Sequence, residues 1–188
     1  AQRAWAEPWQ RRLQAELEAL ETVRFGRECF VAPTARLFAE PGRPIEVGDR
    51  ATIAAACVLH GPIRLGPDVS LNHHVTIDGG RRGVRIGAGT RIAAYCTLFA
   101  FDHGTAPDRP VREQPVTSEG IVIGEDVWLG ARVGVVDGVR IGDGAVLGMN
   151  AQVTRDVPPG AIAAGNPARV IGWRGRPPEE PPEPGSYG

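Results

Sequence analysis

One histidine in this 188-residue chain lies where side-chain chemistry is expected. His103 is near the start of a long insertion, residues 100–120 (AFDHGTAPDRPVREQPVTSEG), which follows Leu98 and Phe99. An imidazole titrates near neutral pH, so it suits general acid–base chemistry. A lone loop histidine is by default a solvated side chain, but a loop this long inside a compact fold is usually functional or disordered. His103 is therefore a candidate functional residue.

Other polar side chains are weaker candidates. Asp102 could orient the imidazole of His103, although adjacent side chains often point apart. His73 and His74, in LNHHVTID, take the third and fourth places of a six-residue repeat and should point outward at a corner. They either line a binding site or are solvated corner residues, and the sequence leaves both interpretations open.

The element that positions these residues is a six-residue repeat that runs from 47 to 153. Its hexads include VGDRAT, IAAACV, LGPDVS and LNHHVT, and, after the long insertion, IGEDVW, LGARVG, IGDGAV and LGMNAQ. The first position is Val, Ile or Leu, the fifth is small or β-branched, and turn-forming residues lie between. Short strands at a fixed period are typical of a parallel β-helix whose coils each contain three hexads. Ile123 should then stack on Ile141, and Leu129 on Leu147.

The three cysteines fit the repeat better than they fit a metal site. Cys57 and Cys96 fall at fifth positions of hexads, and Cys29 precedes the repeat. Neither CxxC nor a Cys/His ligand spacing occurs, so all three are expected to be small core residues, and no metal is expected.

The sequence thus predicts an all-β protein, a parallel β-helix of hexapeptide repeats with an N-terminal α-helix. Residues 1–46 should contain that helix (residues 9–23, ended by Gly26) and an irregular first coil. An apolar stripe of Leu13, Leu17 and Leu20 should cap the open end of the β-helix or pack on a neighbouring copy.

The remaining boundaries follow from the repeat and its interruptions. The β-helix should occupy 47–157, with the insertion at 100–120. Prolines after Val153 should stop the coil, so that 158–174 form an extended return. Residues 175–188 are rich in Pro and acidic side chains and should be a disordered tail.

Composition argues against two classes of partner. The formal net charge is −1, so the chain as a whole is not drawn toward nucleic acid or a membrane. We find neither a secretory signal nor an apolar run of about eighteen residues, so a cytoplasmic protein is expected.

From His103 to Ile171 the chain resembles the maltose/galactoside O-acetyltransferase branch of the hexapeptide-repeat acyltransferases. The motifs that carry the resemblance are DH…RPVREQPV, IVIGEDVWLGARVGVVDGVRIGDGAVLG and VTRDVPPGAIAAGNPARVI. It implies a left-handed β-helix, acetyl-CoA as co-substrate, a small-molecule acceptor such as a sugar, and a homotrimer with active sites between subunits. It also implies that His103 is the general base of a direct transfer to a hydroxyl group, without an acyl-enzyme.

The same resemblance assigns binding residues. Asn72 and Asp78 match acceptor contacts, and Trp128 matches an outward tryptophan near the base and the neighbouring subunit. The family holds CoA in a groove between adjacent prisms, largely through backbone groups. The matching residues here are Gly130, Ala131, Gly148, Thr154, Arg155 and Arg169. Met149 and Asn150 depart from the family, which has a small pair at this corner.

Two alternatives to an O-acyltransferase remain. A γ-type carbonic anhydrase shares the prism but needs three zinc-binding histidines. The four histidines here, at 60, 73, 74 and 103, lack that family's paired ligands. A non-catalytic scaffold is the other alternative, and the loop histidine and the VWLG motif argue against it.

Overall fold

The structure is a computed structural model that describes residues 2–175, with side chains from residue 7 onward. The tail predicted at 175–188 therefore lies, from residue 176, outside the described residues. One helix, α1, spans Gln2–Leu20. The strands, in chain order, are β1 (Val23–Phe25), β2 (Phe30–Val31), β3 (Arg36–Phe38), β4 (Ile45–Val47), β5 (Thr52–Ile53), β6 (Val58–His60), β7 (Ile63–Leu65), β8 (Ser70–Leu71), β9 (Thr76–Asp78), β10 (Val84–Ile86), β11 (Arg91–Ile92), β12 (Thr97–Phe99), β13 (Asp102–His103), β14 (Val116–Thr117), β15 (Ile121–Ile123), β16 (Trp128–Leu129), β17 (Gly134–Val135), β18 (Arg140–Ile141), β19 (Val146–Leu147), β20 (Gln152–Val153), β21 (Ala161–Ala164) and β22 (Arg169–Trp173).

These strands form the three faces of a prism. Face A contains β1, β4, β7, β10, β15 and β18; face B contains β2, β5, β8, β11, β16, β19, β21 and β22; face C contains β3, β6, β9, β12, β17 and β20. Within each face neighbouring strands are parallel, apart from the antiparallel pair β21–β22. Ile123 pairs with Ile141 and Leu129 with Leu147, so the predicted register is confirmed.

The core is a continuous column of inward side chains along the prism. Ile53, Leu59 and Ile77, at first positions of hexads or their equivalents, are completely buried, as are the fifth-position residues Cys57 and Cys96. Because neighbouring strands lie about 4.8 Å apart, each apolar residue packs on its equivalent in the next coil. A single coil cannot bury its own inner face, so the stack of coils stabilises the fold as a unit.

The N-terminal helix begins and ends earlier than the sequence predicts, and its first residue is Gln2 and not Trp9. It stops at Leu20 and not at Val23, because Thr22 already donates to Ala39 O and Val23 pairs with Ile45. Leu13 and Leu17 pack against the core, as expected of a helix that caps the prism, but Leu20 is 82% exposed.

Buried Gln10 ties this cap to the outermost strand of face B. Its side-chain amide donates to Val31 O at 2.7 Å and accepts from Val31 N at 2.9 Å. The helix thereby satisfies backbone groups that an uncovered strand edge would leave unpaired.

Both ends of the β-helix extend beyond the predicted limits. Strands β1, β2 and β3 make a regular first coil, where an irregular one was expected, because residues 39–44 absorb the extra length before β4. At the other end, the prediction that prolines stop the coil is wrong. Val157 bridges Ile141 and β21 pairs in parallel with β19. Pro158 and Pro159 lie at a corner, where proline's fixed φ is compatible with a turn.

The insertions in the six-residue repeat lie on one edge of the prism. The B–C edge, between face B and face C, consists of four-residue corners at 32–35, 54–57, 72–75, 93–96, 130–133 and 148–151. The C–A edge consists of the connections 39–44, 61–62, 79–83, 100–120, 136–139 and 154–156, whose lengths vary. Every insertion between β1 and β18 therefore lies on the C–A edge.

Candidate active site

The long insertion is an ordered arm on the C–A edge. After β12, strands β13 and β14 form a short antiparallel hairpin in which His103 pairs with Val116, and Gly104 N donates to Pro115 O at 3.1 Å. A single 3-10 turn, Val111–Glu113, lies near the tip. The sequence predicted a loop here, and the structure shows a hairpin.

One buried side chain closes the tip of this arm. The carboxamide of Gln114 accepts from Ala106 N at 2.8 Å and donates to Ala106 O and Arg109 O, both at 2.9 Å. These contacts cross eight and five residues of chain, so Gln114 holds the strand that carries Val116 in place opposite His103.

The root of the arm is fixed to the prism by Ser118 and Asp137. Ser118 Oγ donates to Ala100 O at 2.6 Å and accepts from the backbone amides of Arg81 and Arg82 at 3.0 and 3.1 Å. The carboxylate of Asp137 accepts the amides of residues 119 and 120. The small insertion at 79–83 and the large one at 100–120 therefore support each other.

His103 lies exposed on this arm, with its ring at the end of a row of aromatic side chains. Its centroid is 5.9 Å from that of Phe101, edge to face, and Phe101 meets Phe99 in the same way at 6.1 Å. Its nitrogens have no hydrogen-bond partner among the described residues, so Asp102 does not orient the imidazole in this chain. Adjacent strand residues point to opposite sides, which explains the separation.

Asp78 is held in a polar network on the same edge, at the end of β9. Its two carboxylate oxygens contact Arg43 Nη2 at 3.0 Å and His60 Nδ1 at 3.1 Å, and Gly80 N donates to it at 3.0 Å. His60 Nε2 lies 3.1 Å from Glu40. Hydrogen bonds from the Glu40 backbone amide and from His60 hold the pKa of the Glu40 carboxyl below its usual value.

Asn72 and three predicted CoA contacts lie across face C, on the B–C edge. Asn72 is exposed, and its Oδ1 accepts the backbone amide of His73 at 2.7 Å. Gly130 is buried, and a Cβ there would come within 2.8 Å of Leu147 O in the next coil. Ala131 and Gly148 are half-buried, whereas Met149 is 64% exposed beside them.

The other predicted residues are spread over the outer surface. Trp128 projects from face B between Arg91 and Val146, is 54% exposed, and lines a shallow groove of about 280 Å³. Arg169 begins β22 on the same face, and Thr154 and Arg155 follow β20 on the C–A edge; all three are exposed.

The candidate residues thus form two groups on one chain. His103 and Asp78 belong to the C–A edge, whereas Asn72, Gly130 and Gly148 belong to the B–C edge, a full face of the prism away. Within one copy these two groups are therefore not brought together.

Two residues that the sequence analysis did not single out join His73 and His74 on the B–C edge. Tyr95 stacks on His74, and Arg132 lies over Tyr95. The repeat could have indicated this cluster, because His74, Tyr95 and Arg132 each occupy the fourth place of a hexad and these hexads lie one coil apart.

The cysteines are core residues, as expected. All three are free and buried. Burial raises the pKa of the Cys96 thiol to about 11, so it is not a reactive thiolate at neutral pH. No three His, Cys, Asp or Glu side chains within residues 7–175 of one chain form a group able to hold a metal ion. No helix in the described part of the chain is long and apolar enough to cross a membrane.

Comparison with known proteins finds the repeat and several acetyltransferases. Residues 120–155 match the family described as bacterial transferase hexapeptide (six repeats). The chain is 35% identical over 133 residues to "Probable acetyltransferase Rv3034c" of Mycobacterium tuberculosis, covering 70% of this chain and 43% of that protein. It is 37% identical over 114 residues to the galactoside O-acetyltransferase of Escherichia coli, covering 58% of this chain and 53% of that protein. The chain thus spans about half the length of these relatives.

A solved structure extends the similarity to the whole fold. The hexapeptide-repeat acetyltransferase of Vibrio cholerae O1 biovar eltor, complexed with acetyl coenzyme A, superposes with a TM-score of 0.60 at 25% sequence identity. The match covers 90% of this chain and 79% of that one. The chain as a whole thus resembles the hexapeptide-repeat acetyltransferases, as its sequence predicted.

Proposed function

We propose that the chain is a CoA-dependent O-acyltransferase that moves an acetyl group from acetyl-CoA to a hydroxyl of a sugar or a similar small acceptor. The observation that carries the proposal is the position of His103, exposed on an ordered arm that forms the largest break in the prism. The names of the relatives, which include a galactoside O-acetyltransferase, support the reaction class.

In this reaction His103 acts on the acceptor hydroxyl. A ring nitrogen takes the hydroxyl proton as the oxygen attacks the thioester carbonyl carbon, and a carbon–oxygen bond forms. The tetrahedral oxyanion, stabilised by a backbone N–H, then collapses, the carbon–sulfur bond breaks, and the imidazolium returns the proton to the CoA sulfur. One positioned base of this kind contributes roughly 10²–10⁴-fold to the rate.

Acetyl-CoA fits best along the B–C edge. Gly130, Ala131 and Gly148 expose little side chain there, so the cofactor can approach backbone groups, although Met149 narrows the path. Arg169, on face B, is a further proposed contact of the same copy, whereas Thr154 and Arg155 lie on the C–A edge and would contact a cofactor held on the B–C edge of the neighbouring copy. Neither Arg155 nor Arg169 forms an ion pair with a described residue; Arg169 Nη1 donates to Ala168 O at 2.8 Å, and the remaining donors of both guanidinium groups can bind phosphates.

The two separate groups of residues favour an active site shared between copies. In a homotrimer with its sites between subunits, the arm of one copy would approach the B–C edge of the next. His103 would then meet Asn72 and the proposed cofactor groove of its neighbour, and the exposed Trp128 would gain a partner surface.

A thiol-release assay tests the proposal. The protein is incubated with acetyl-CoA and a panel of sugars, other alcohols and amines, and released CoA thiol is measured against a blank without acceptor. The protein's own thiols are buried and should add little background. We expect release with at least one hydroxyl acceptor. Absence of release with every acceptor, together with no binding of CoA, would support the scaffold alternative.

A further inference from the structure

An exposed column of side chains runs along the B–C edge beside Asn72, and the mechanism above does not use it. We call it the edge column; it consists of Ala56, His74, Tyr95, Arg132 and Asn150. Each of these residues stands three places after a paired residue of face B, in the register Ile53, Leu71, Ile92, Leu129 and Leu147. All five have φ between 56° and 63°, so their side chains leave successive coils in the same direction.

The planar members of the column stack at the spacing of the coils. The rings of His74 and Tyr95 are 4.8 Å apart and 4° from parallel, and the Arg132 guanidinium lies 5.9 Å from the Tyr95 centroid. His73 meets both rings edge-on, at 5.4 and 5.3 Å. Tyr95 nevertheless remains 47% exposed, and His73 and His74 are also exposed. An exposed aromatic cluster of this kind indicates a binding surface.

On one side of the His74 ring the edge column continues with another ring, and on the other side it leaves an empty place. Tyr95 covers one face of the imidazole, whereas the next position on the other side is Ala56, which contributes only a methyl group. Coils repeat about every 4.8 Å, so the place beside Ala56 has the thickness that one more stacked ring needs. Asn72 lies two residues before His74; its oxygen is bound to His73 N, and its NH₂ group is left to donate to a ligand.

We propose that His74 is the stacking surface for the acceptor, and that the acceptor is a cyclic sugar, a pyranoside, whose C–H face lies on the imidazole in the place beside Ala56. This inference rests on the proposed function, because it takes Asn72 as an acceptor contact. Carbon-bound hydrogens of a sugar ring are complementary to the negative face of an aromatic ring. Tyr95, Arg132 and His73 hold His74 in position and are positioning residues.

The test fills the empty place beside Ala56 with a side chain of the protein itself. Ala56→Tyr adds a ring where the sugar should lie, and Tyr95 shows that an aromatic residue is compatible with this backbone, at φ 63°. Ala56→Ser is the matched control that leaves the place open. His74→Ala removes the stacking surface, and His74→Phe restores a ring without the nitrogens. Each variant is assayed with methyl β-galactoside and with glycerol, an acyclic acceptor.

We expect Ala56→Tyr and His74→Ala to raise the KM for methyl β-galactoside about 2- to 12-fold, the range of one aromatic stack, with kcat and the KM for acetyl-CoA unchanged. Ala56→Ser should behave like the parent, His74→Phe should recover most of the affinity for methyl β-galactoside that His74→Ala loses, and glycerol kinetics should not respond. A change in the KM for acetyl-CoA alone would assign the column to the cofactor, and a change in oligomeric state would assign it to a second copy. Either result overturns the proposal.

Binding measured without turnover separates this inference from the proposed function. Saturation-transfer NMR of methyl β-galactoside with the parent and with Ala56→Tyr requires no acetyl-CoA. A signal in the parent that is lost in Ala56→Tyr supports the stacking site even if no acyl transfer is found. Equal signals in both proteins, or none in the parent, refute it even if the enzyme is active.

Discussion

Gln114 offers a test of whether the arm must be ordered for function. Gln114→Ala removes three hydrogen bonds, one from Ala106 N and two to Ala106 O and Arg109 O. Each bond contributes a net 0.5–1.5 kcal/mol; taking the lower part of that range, because the partner residues Ala106 and Arg109 are exposed, the loss is about 1.5–3 kcal/mol. The side chain contacts the arm and not the core of the prism, so this loss should open the arm locally and leave global unfolding almost unchanged.

Hydrogen exchange measures that opening directly. Amides of residues 100–120 should exchange roughly 10- to 150-fold faster in Gln114→Ala, and kcat should fall because His103 is less well positioned. Glu113→Ala, an exposed neighbour, is the control and should leave exchange in the arm unchanged. If the arm of Gln114→Ala exchanged at the parental rate, Gln114 would not be what orders it. If the melting temperature fell by many degrees, the arm would be part of the cooperative core.

Three further predictions concern the prism and its assembly. Ile141→Asp places a carboxylate in the core beneath Ile123 and should lower the free energy of unfolding, measured by urea titration, by several kcal/mol. Ile141→Val should lower it by about 0.5–1.5 kcal/mol, and equal urea midpoints for the two variants would contradict the buried position of Ile141. The raised pKa of Cys96 favours the folded state below pH 9.0, so stability should decline as pH rises from 9.0 toward 11, and less steeply in Cys96→Ala; identical pH profiles would refute this. Light scattering should give three times the mass of the chain, and a fully active monomer would contradict a site shared between copies.

The sequence predicted the prism because the six-residue repeat determines which strands pair and in which register. Inward positions such as Ile123 and Ile141 are six-residue multiples apart, so pairing followed from counting. The ends were harder to predict, because Pro158 and Pro159 usually signal that an element stops, and here they form a corner. Ala56, Tyr95 and Arg132 turn corners with positive φ at a cost of roughly 1–2 kcal/mol each, which residue type alone does not reveal.

The candidate site was only partly predictable, for a different reason. His103 stood out because it interrupts a repeat, but the hairpin around it depends on Gln114 and Ser118, whose partners are set by three-dimensional contacts. Asp102 illustrates the same limit: its position next to His103 suggested an orienting carboxylate, but the strand turns the two side chains apart. The candidate residues lie on two edges because residues 72–75 turn the chain from face B to face C, whereas residues 100–120 connect face C to face A.

The central claim, that His103 is the general base, is tested most directly by the kinetics of His103→Ala with acetyl-CoA and the true acceptor. We predict that kcat falls roughly 10²–10⁴-fold while the KM for acetyl-CoA hardly changes, because none of the proposed cofactor contacts lies on the arm that carries His103. Arg169→Ala is the complementary control. It should weaken CoA binding by about 1.5–3 kcal/mol and largely keep kcat at saturation. Full turnover by His103→Ala would contradict the account, because the arm would then not supply the catalytic base.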